Sequence, residues 1–295
     1  MKSPTHLLFS IAFAALTLWG SATVRGRGTA TDISGLYYTG VDNSGAVLAG
    51  GATDSHWDVV YAQVGGNSYS GNSAYTGDPY VLSANYIDGA YVANSATSKW
   101  ITAPGASTSA SGGTNNIGGD YLPGNGTTGT NSAQYVYRLT FTITGTGSNR
   151  VTNDISISLT LAADDQYSVY VNPTLNTNGS VNTNSTLAGT RTGAWNNTSA
   201  LYLQNFSDSN GSNNSQFVIG TNYIYVVVDN TNSQTGTSSS NALNPSGLLV
   251  YQVGNATTID GKPVPEVGAW LPVVAALGVF GWRRGRRRSN PEEVV

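Results

Sequence analysis

Cysteine is absent from all 295 residues, so the chain has no disulfide, no thiol nucleophile and no cysteine-ligated zinc. Stability must then come from a hydrophobic core. Histidine is nearly absent, with only His6 and His56, and the glutamates Glu266, Glu292 and Glu293 all lie near the C-terminal end. Basic residues are scarce between residues 28 and 264, where Lys99, Arg138, Arg150, Arg191 and Lys262 face 13 aspartates. Five against thirteen leaves about eight negative charges on that stretch. This is the wrong sign for a phosphate backbone, and nucleic acid is not expected as a partner. No segment between the two ends reads as an amphipathic helix, and no repeat of fixed period points to a solenoid or propeller.

What is abundant is glycine (36 residues), tyrosine (17 residues) and Ser, Thr and Asn throughout the connecting segments. Such composition suits many short strands joined by turn-rich loops, and the length between the ends is enough for one large β-sandwich. The clearest strand is 134–145, where Tyr137, Leu139, Phe141 and Ile143 alternate with Arg138, Thr140, Thr142 and Thr144. Residues 154–163 repeat the pattern, with Ile155, Ile157, Leu159 and Leu161 inward and Ser156, Ser158 and Thr160 outward. Residues 166–172 then return as a further strand, with Asp164-Asp165 as the turn between them. Residues 222–229 are apolar on both faces and read as a central strand covered on both sides. Further strands are expected at 56–64, 80–87 and 247–254, and long polar loops at 105–130 and 174–193.

The two ends carry a different kind of information. Lys2 precedes an apolar stretch over 7–19 closed by the small residues Gly20, Ser21 and Ala22, which reads as a signal helix over residues 1–22 cleaved after Ala22. At the other end, Val264-Pro265-Glu266 leads into an apolar stretch over 268–282 and then Arg283, Arg284, Arg286, Arg287 and Arg288. Taken alone, the apolar stretch and arginines describe a short membrane helix held by a cytoplasmic cationic anchor. Taken in order with the Val-Pro-Glu triplet, residues 262–288 resemble the PEP-CTERM sorting signal processed by exosortases in Gram-negative bacteria. Val267 stands where that family usually has a second proline. The resemblance implies export, transient anchoring in the inner membrane, an exosortase-like sorting enzyme as partner, and a final place at the cell surface or outside it.

A second resemblance spans most of residues 30–255. It rests on Asp54-Ser55-His56-Trp57, Asn94-Ser95-Ala96-Thr97-Ser98-Lys99-Trp100-Ile101, Tyr137-Arg138-Leu139-Thr140-Phe141, Ala162-Ala163-Asp164-Asp165 and Asn244-Pro245-Ser246-Gly247-Leu248. In this order they are similar to the jelly-roll domain common in PEP-CTERM surface proteins. That domain is related in shape to the galactose-binding-like sandwich of carbohydrate-binding modules. The implied fold class is an all-β jelly-roll β-sandwich. Val171-Asn172-Pro173 and an expanded Asn/Thr segment replace the hairpin usual in that domain, so no ligand contact is carried over from it.

Chemistry has few places to reside. Any triad or general-base scheme must pass through His56, which lies beside Trp57 at a strand opening with no G-x-S-x-G elbow in the chain, and a structural role is expected for it. Glycoside hydrolysis needs two carboxylates across a cleft, and Asp164-Asp165, adjacent on a strand, would diverge. Asp54, Asp58, Asp164 and Asp165 with loop carbonyls form a candidate hard-oxygen set for calcium, although aspartates in turns also bond their own backbone. Trp57 and Trp100 are expected in the core. Trp195, between Gly193 and Asn196 in a polar loop, is the candidate sugar contact. The expected function is that of a non-enzymatic surface or matrix protein working with exopolysaccharide in a biofilm. A lectin-like carbohydrate-binding module and a secreted glycan-active enzyme are the alternatives.

Overall fold

The computed structural model describes residues 28–64, 67–71, 75–82, 91–104, 133–147, 150–151, 154–164, 166–192, 196, 199–204, 216–230, 246–251 and 257–264. The expected signal helix, C-terminal membrane helix and loop over 105–130 lie outside them. Within the described residues every regular element is a strand. In chain order the first are β1 (Thr29–Ser34), β2 (Trp57–Val64), β3 (Asn67–Tyr69), β4 (Tyr80–Val81), β5 (Ile101–Thr102), β6 (Ala133–Thr146) and β7 (Ile155–Asp164). There follow β8 (Gln166–Val171), β9 (Leu187–Arg191), β10 (Ser199–Gln204), β11 (Gly220–Asn230), β12 (Gly247–Tyr251), β13 (Thr258–Ile259) and β14 (Lys262–Pro263).

The strands form two antiparallel sheets. In the first, β6 is long enough to carry β2 along one half of a flank and β1 along the other half, with β11 on its opposite flank and then β8 and β9. In the second, β7 plays the same part, with β12 and β13 sharing one flank and β10 on the other, while β5 and β4 extend the sheet beyond β12. One hydrophobic cluster joins them. Trp57, Val59, Tyr137, Leu139, Phe141, Ile143, Ile224, Val226 and Val228 from the first sheet meet Ile155, Ile157, Leu159, Leu161, Leu248 and Val250 from the second. The body is therefore all-β and sandwich-like, with period-two alternation delivering the apolar side chains of each sheet to a shared interior.

Strand 134–145 is found as β6, with Tyr137, Leu139, Phe141 and Ile143 buried and Thr140 and Thr144 exposed. The expected central strand is β11, hydrogen-bonded on both flanks and covered on both faces. Its outer residues Tyr225 and Val227 belong to a second cluster with Tyr61 and Val136.

Two expectations are corrected. The two strands flanking the expected turn at Asp164-Asp165 do not return beside each other: β7 belongs to the second sheet and β8 to the first, so the chain changes sheets between Asp164 and Gln166, and Asp165 itself lies outside the described residues. Alternation tells which residues face the core but not which sheet a strand joins. Ser158 and Thr160 do lie on the face of β7 away from the main core, but that face is covered, and their hydroxyl oxygens are buried with no hydrogen-bond partner. Nearby, Trp100, Leu82, Ala162 and Leu249 pack as an outer cluster with Tyr91 and Val92.

Residues 174–193, expected as loop, are ordered for most of their length. Leu175 bridges Val181 around a turn in which the Gly179 N–H donates to the Asn176 carbonyl at 2.9 Å, with Gly179 in the left-handed region at φ 88°. A second turn closes when the Ser185 N–H donates to the Asn182 carbonyl at 2.9 Å, and β9 follows against β8. This strap folds over the outer face of the first sheet. Val181 packs on the Tyr61–Val136–Tyr225–Val227 cluster, and a Cβ on Gly179 would come within 2.8 Å of Ser70 Oγ. Asn172, at φ 46°, fixes the strap's root. Its amide nitrogen donates to the Gln216 carbonyl at 2.7 Å and to Asn222 Oδ1 at 2.9 Å, and its oxygen accepts from the Tyr223 N–H at 2.8 Å.

Phe141→Ala removes a ring buried between the sheets and is expected to lower the unfolding free energy by about 3–5 kcal/mol. Leu187→Ser, at a side chain 46% exposed on β9, should change it by less than about 0.5 kcal/mol. Urea denaturation of the two variants checks both values, and equal midpoints would contradict the shared interior.

Candidate functional site

The segment before β2 is held by a buried carboxylate. Asp54 is fully buried, accepts the Gly40 N–H through Oδ2 at 2.6 Å and the His56 N–H through Oδ1 at 3.0 Å, and so ties residues 40–47 to the start of β2. Gly40 is required there: at φ 72°, with Lys99 beneath, a Cβ would stand 2.8 Å from Lys99 Cβ. Lys99 itself reaches the Leu48 carbonyl at 2.6 Å.

His56 works in the same knot. Its ring stacks on Tyr37 with centroids 3.6 Å apart, Nδ1 lies 3.0 Å from the Val41 carbonyl and 3.5 Å from Asp54 Oδ1, and Nε2 lies 3.0 Å from Asn43 Oδ1. Both ring nitrogens are thus engaged in holding the loop, the structural role expected for this residue.

The loop between Val41 and Val47 is a tight turn built on Asp42. Its Oδ1 accepts from the Ser44 hydroxyl at 2.6 Å, the Ser44 N–H at 2.8 Å and the Ala46 N–H at 2.9 Å. These bonds, the Ser44 hydroxyl first, hold the Asp42 carboxyl below the ordinary aspartate range.

The three described aspartates of the calcium set, Asp54, Asp58 and Asp164, lie apart, each with its own partner. Asp54 spends both oxygens on backbone N–H groups. Asp58 pairs with Arg138 on the outer face of the first sheet at 2.7 Å. Asp164, buried at the end of β7, accepts the Tyr91 hydroxyl at 2.6 Å. Asp165 lies outside the described residues. Among the described residues no three His, Asp or Glu side chains gather to hold a metal ion. The physical reason is topological: Asp54 and Asp58 belong to the approach and start of β2, whereas Asp164 ends a strand of the opposite sheet.

Trp100 is core, 1% exposed, with its indole N–H donating to the Val92 carbonyl at 2.7 Å. Trp57 is likewise buried, and its indole N–H reaches the Tyr37 carbonyl at 3.3 Å. Trp195 lies outside the described residues, as do Pro265, Glu266, Arg283, Arg284, Arg286, Arg287 and Arg288. Val264 is described: its N–H donates to the Thr257 carbonyl at 2.9 Å, and its side chain packs against the main core.

The surface with most chemistry is the outer face of the first sheet beside the strap. Cross-strand register sets Asp58, Arg138, Tyr225 and Tyr170 in one row over β2, β6, β11 and β8, and sets Thr140 opposite Tyr223 one step along. The Arg138 guanidinium lies over the Tyr223 ring, 5.5 Å from its centroid, and is held by Asp58. Its Nε is buried and meets no acceptor among the described residues. Chain comparison adds no relative to this picture. No family model, curated protein or solved structure matches the chain. The row therefore has to be read from its own groups: one carboxylate, one guanidinium, an exposed threonine hydroxyl and two partly exposed tyrosine rings. This set can bind a polar molecule through donors, acceptors and ring faces together. Sequence reading passed over Arg138, although an arginine at an outward position of the best strand, in a body with four other cations, was the available signal.

Asp54→Asn is expected to cost about 1–3 kcal/mol, because it sets an amide N–H against a backbone N–H in a buried site. Thermal melts should show the same loss in millimolar calcium and in chelator, and recovery by calcium would contradict the assignment. For Asp42 the folded value lies below the unfolded one, so its contribution is full above the ordinary aspartate range and disappears as pH falls through the folded value. An NMR titration should find the Asp42 midpoint below about 3.9 and find it raised by Ser44→Ala.

Proposed function

We propose that this chain is an exported, non-enzymatic protein of the cell surface or extracellular matrix, sorted by an exosortase-like system and associated with exopolysaccharide. The observation that carries the proposal is the sequence order of the tail: Val264-Pro265-Glu266, then an apolar stretch, then five arginines within residues 283–288. In the finer reading of the fold, the all-β body is a jelly roll of the galactose-binding-like kind. The address is a Gram-negative envelope, with the C-terminal helix as a transient inner-membrane anchor.

The body offers two supports. It achieves stability without disulfides, through one large core between two sheets, as a cysteine-free protein outside the cytoplasm must. Val264, the first residue of the proposed triplet, donates its N–H to the Thr257 carbonyl at 2.9 Å, next to the β13–β14 hairpin. The lectin-like reading gains from the row of Asp58, Arg138 and tyrosines on the outer face, which offers ring faces beside hydrogen-bond donors and acceptors. In this account His56 holds a loop, and Asp54 and Asp42 hold backbone N–H groups, roles that suit a body working by binding.

Replacing the triplet's core by Pro265→Ala with Glu266→Ala is expected to leave an unprocessed precursor in the inner-membrane fraction of the host, seen by immunoblot as a heavier band. Surface display of the double variant at the wild-type size and level would overturn the sorting proposal.

A further inference from the structure

We infer that the outer face of the first sheet, at the row Asp58–Arg138–Tyr225–Tyr170 together with Tyr223 and Thr140, is a binding platform for a neutral hexose polymer. The inference rests on the proposed association with exopolysaccharide and assigns it a site and a ligand class.

Geometry comes first. The row crosses four adjacent strands, β2, β6, β11 and β8, and three inter-strand spacings span about 15 Å. That is room for a short run of sugar rings lying across the strands. The strap forms a step along one side, since Val181 and Gly179 sit over the neighbouring Val60–Tyr61 and Val136–Val227 positions. Tyr225, buried, is floor; Tyr170, Tyr223, Arg138 and Asp58 are partly exposed and Thr140 is exposed.

The chemistry of these groups is mixed in the way a sugar needs. A tyrosine ring offers an apolar face to the C–H face of a pyranose and a hydroxyl at its rim. The Asp58 carboxylate accepts from ring hydroxyls, and the guanidinium donates to them with charge assistance. The Arg138 side chain is partly exposed, so its guanidinium offers donors to a ligand hydroxyl while Asp58 holds it in place.

Charge decides between glycan classes. The cation and anion of the platform, Arg138 and Asp58, neutralise each other at 2.7 Å. The body around them carries about eight net negative charges over residues 28–264. A uronate-rich chain would meet repulsion with no free cation at the platform, whereas a neutral polymer meets none.

The test is affinity gel electrophoresis of the full-length secreted chain through gels holding a neutral panel (dextran, galactomannan, galactan, xyloglucan) or alginate as the uronate polymer. We expect retardation by at least one neutral polymer, weakened at least tenfold by Tyr223→Ala and by Arg138→Ala, and unaffected by Lys262→Ala on the other sheet. Because Tyr223 also packs on the Val181 cluster, Thr140→Lys serves as the second variant. It adds bulk and charge at an exposed position and should abolish retardation with an unchanged melting temperature. Neutral-polymer binding insensitive to all three platform variants would overturn the site while leaving exopolysaccharide association intact. Binding to alginate alone would overturn the ligand class, and no retardation in any gel would overturn the platform. The sorting phenotype of the Pro265/Glu266 variant is read separately and moves with none of these outcomes.

Discussion

The antiparallel pairing of β11 with β6, from Gly220 opposite Ile143 to Asn230 opposite Ala133, is the contact on which the rest of the molecule leans. β6 supplies the flank for β1 and β2, and β11 supplies the flank for β8 and hence β9. Their inward side chains, Tyr137, Leu139, Phe141 and Ile143 with Ile224, Val226 and Val228, are the floor against which the second sheet packs. Their outward side chains carry Arg138, Tyr223 and Tyr225, which make the candidate platform. One ladder thus fixes both the core and the surface. With no disulfide in the chain, a one-residue slip in this register would exchange the two faces and lose both together.

The Asp54 knot has a different scale and the same logic. A buried carboxylate is tolerated only when donors surround it, and here the Gly40 and His56 N–H groups do so. The knot explains why Asp54, His56 and Gly40 occur near one another in a chain otherwise poor in titratable side chains. Among the described aspartates proposed for calcium, Asp54, Asp58 and Asp164 each engage a separate donor, and they gather into no common centre.

Much of the fold was legible because β-structure writes itself at period two. β6 and β7 could be read nearly to the residue, and β11 announced its central place by being apolar on both faces. What could not be read was partnership. The change of sheet after Asp164 leaves no local trace, because β7 and β8 alternate in the same way and differ only in which distant strands they join. The strap over 172–186 is polar in composition, yet it is ordered by turn geometry at Gly179 and by the Asn172–Asn222 amide pair, which only the structure brings together. For the site the balance was poorer: His56 and Trp100 could be placed by their neighbours in sequence, whereas Arg138 acquires meaning only beside Asp58 and Tyr223, contributed by strands far away in the chain.

Val264 closes the β13–β14 hairpin through its bond to Thr257 and is also the first residue of the proposed sorting triplet, so the folded body and its proposed address meet there. The most direct measurement of that claim is the intact mass of the protein recovered from the surface of its native host. The account predicts a chain lacking both the leader over residues 1–22 and the cluster from Arg283 to Arg288. A surface-exposed chain that retained those arginines would contradict it.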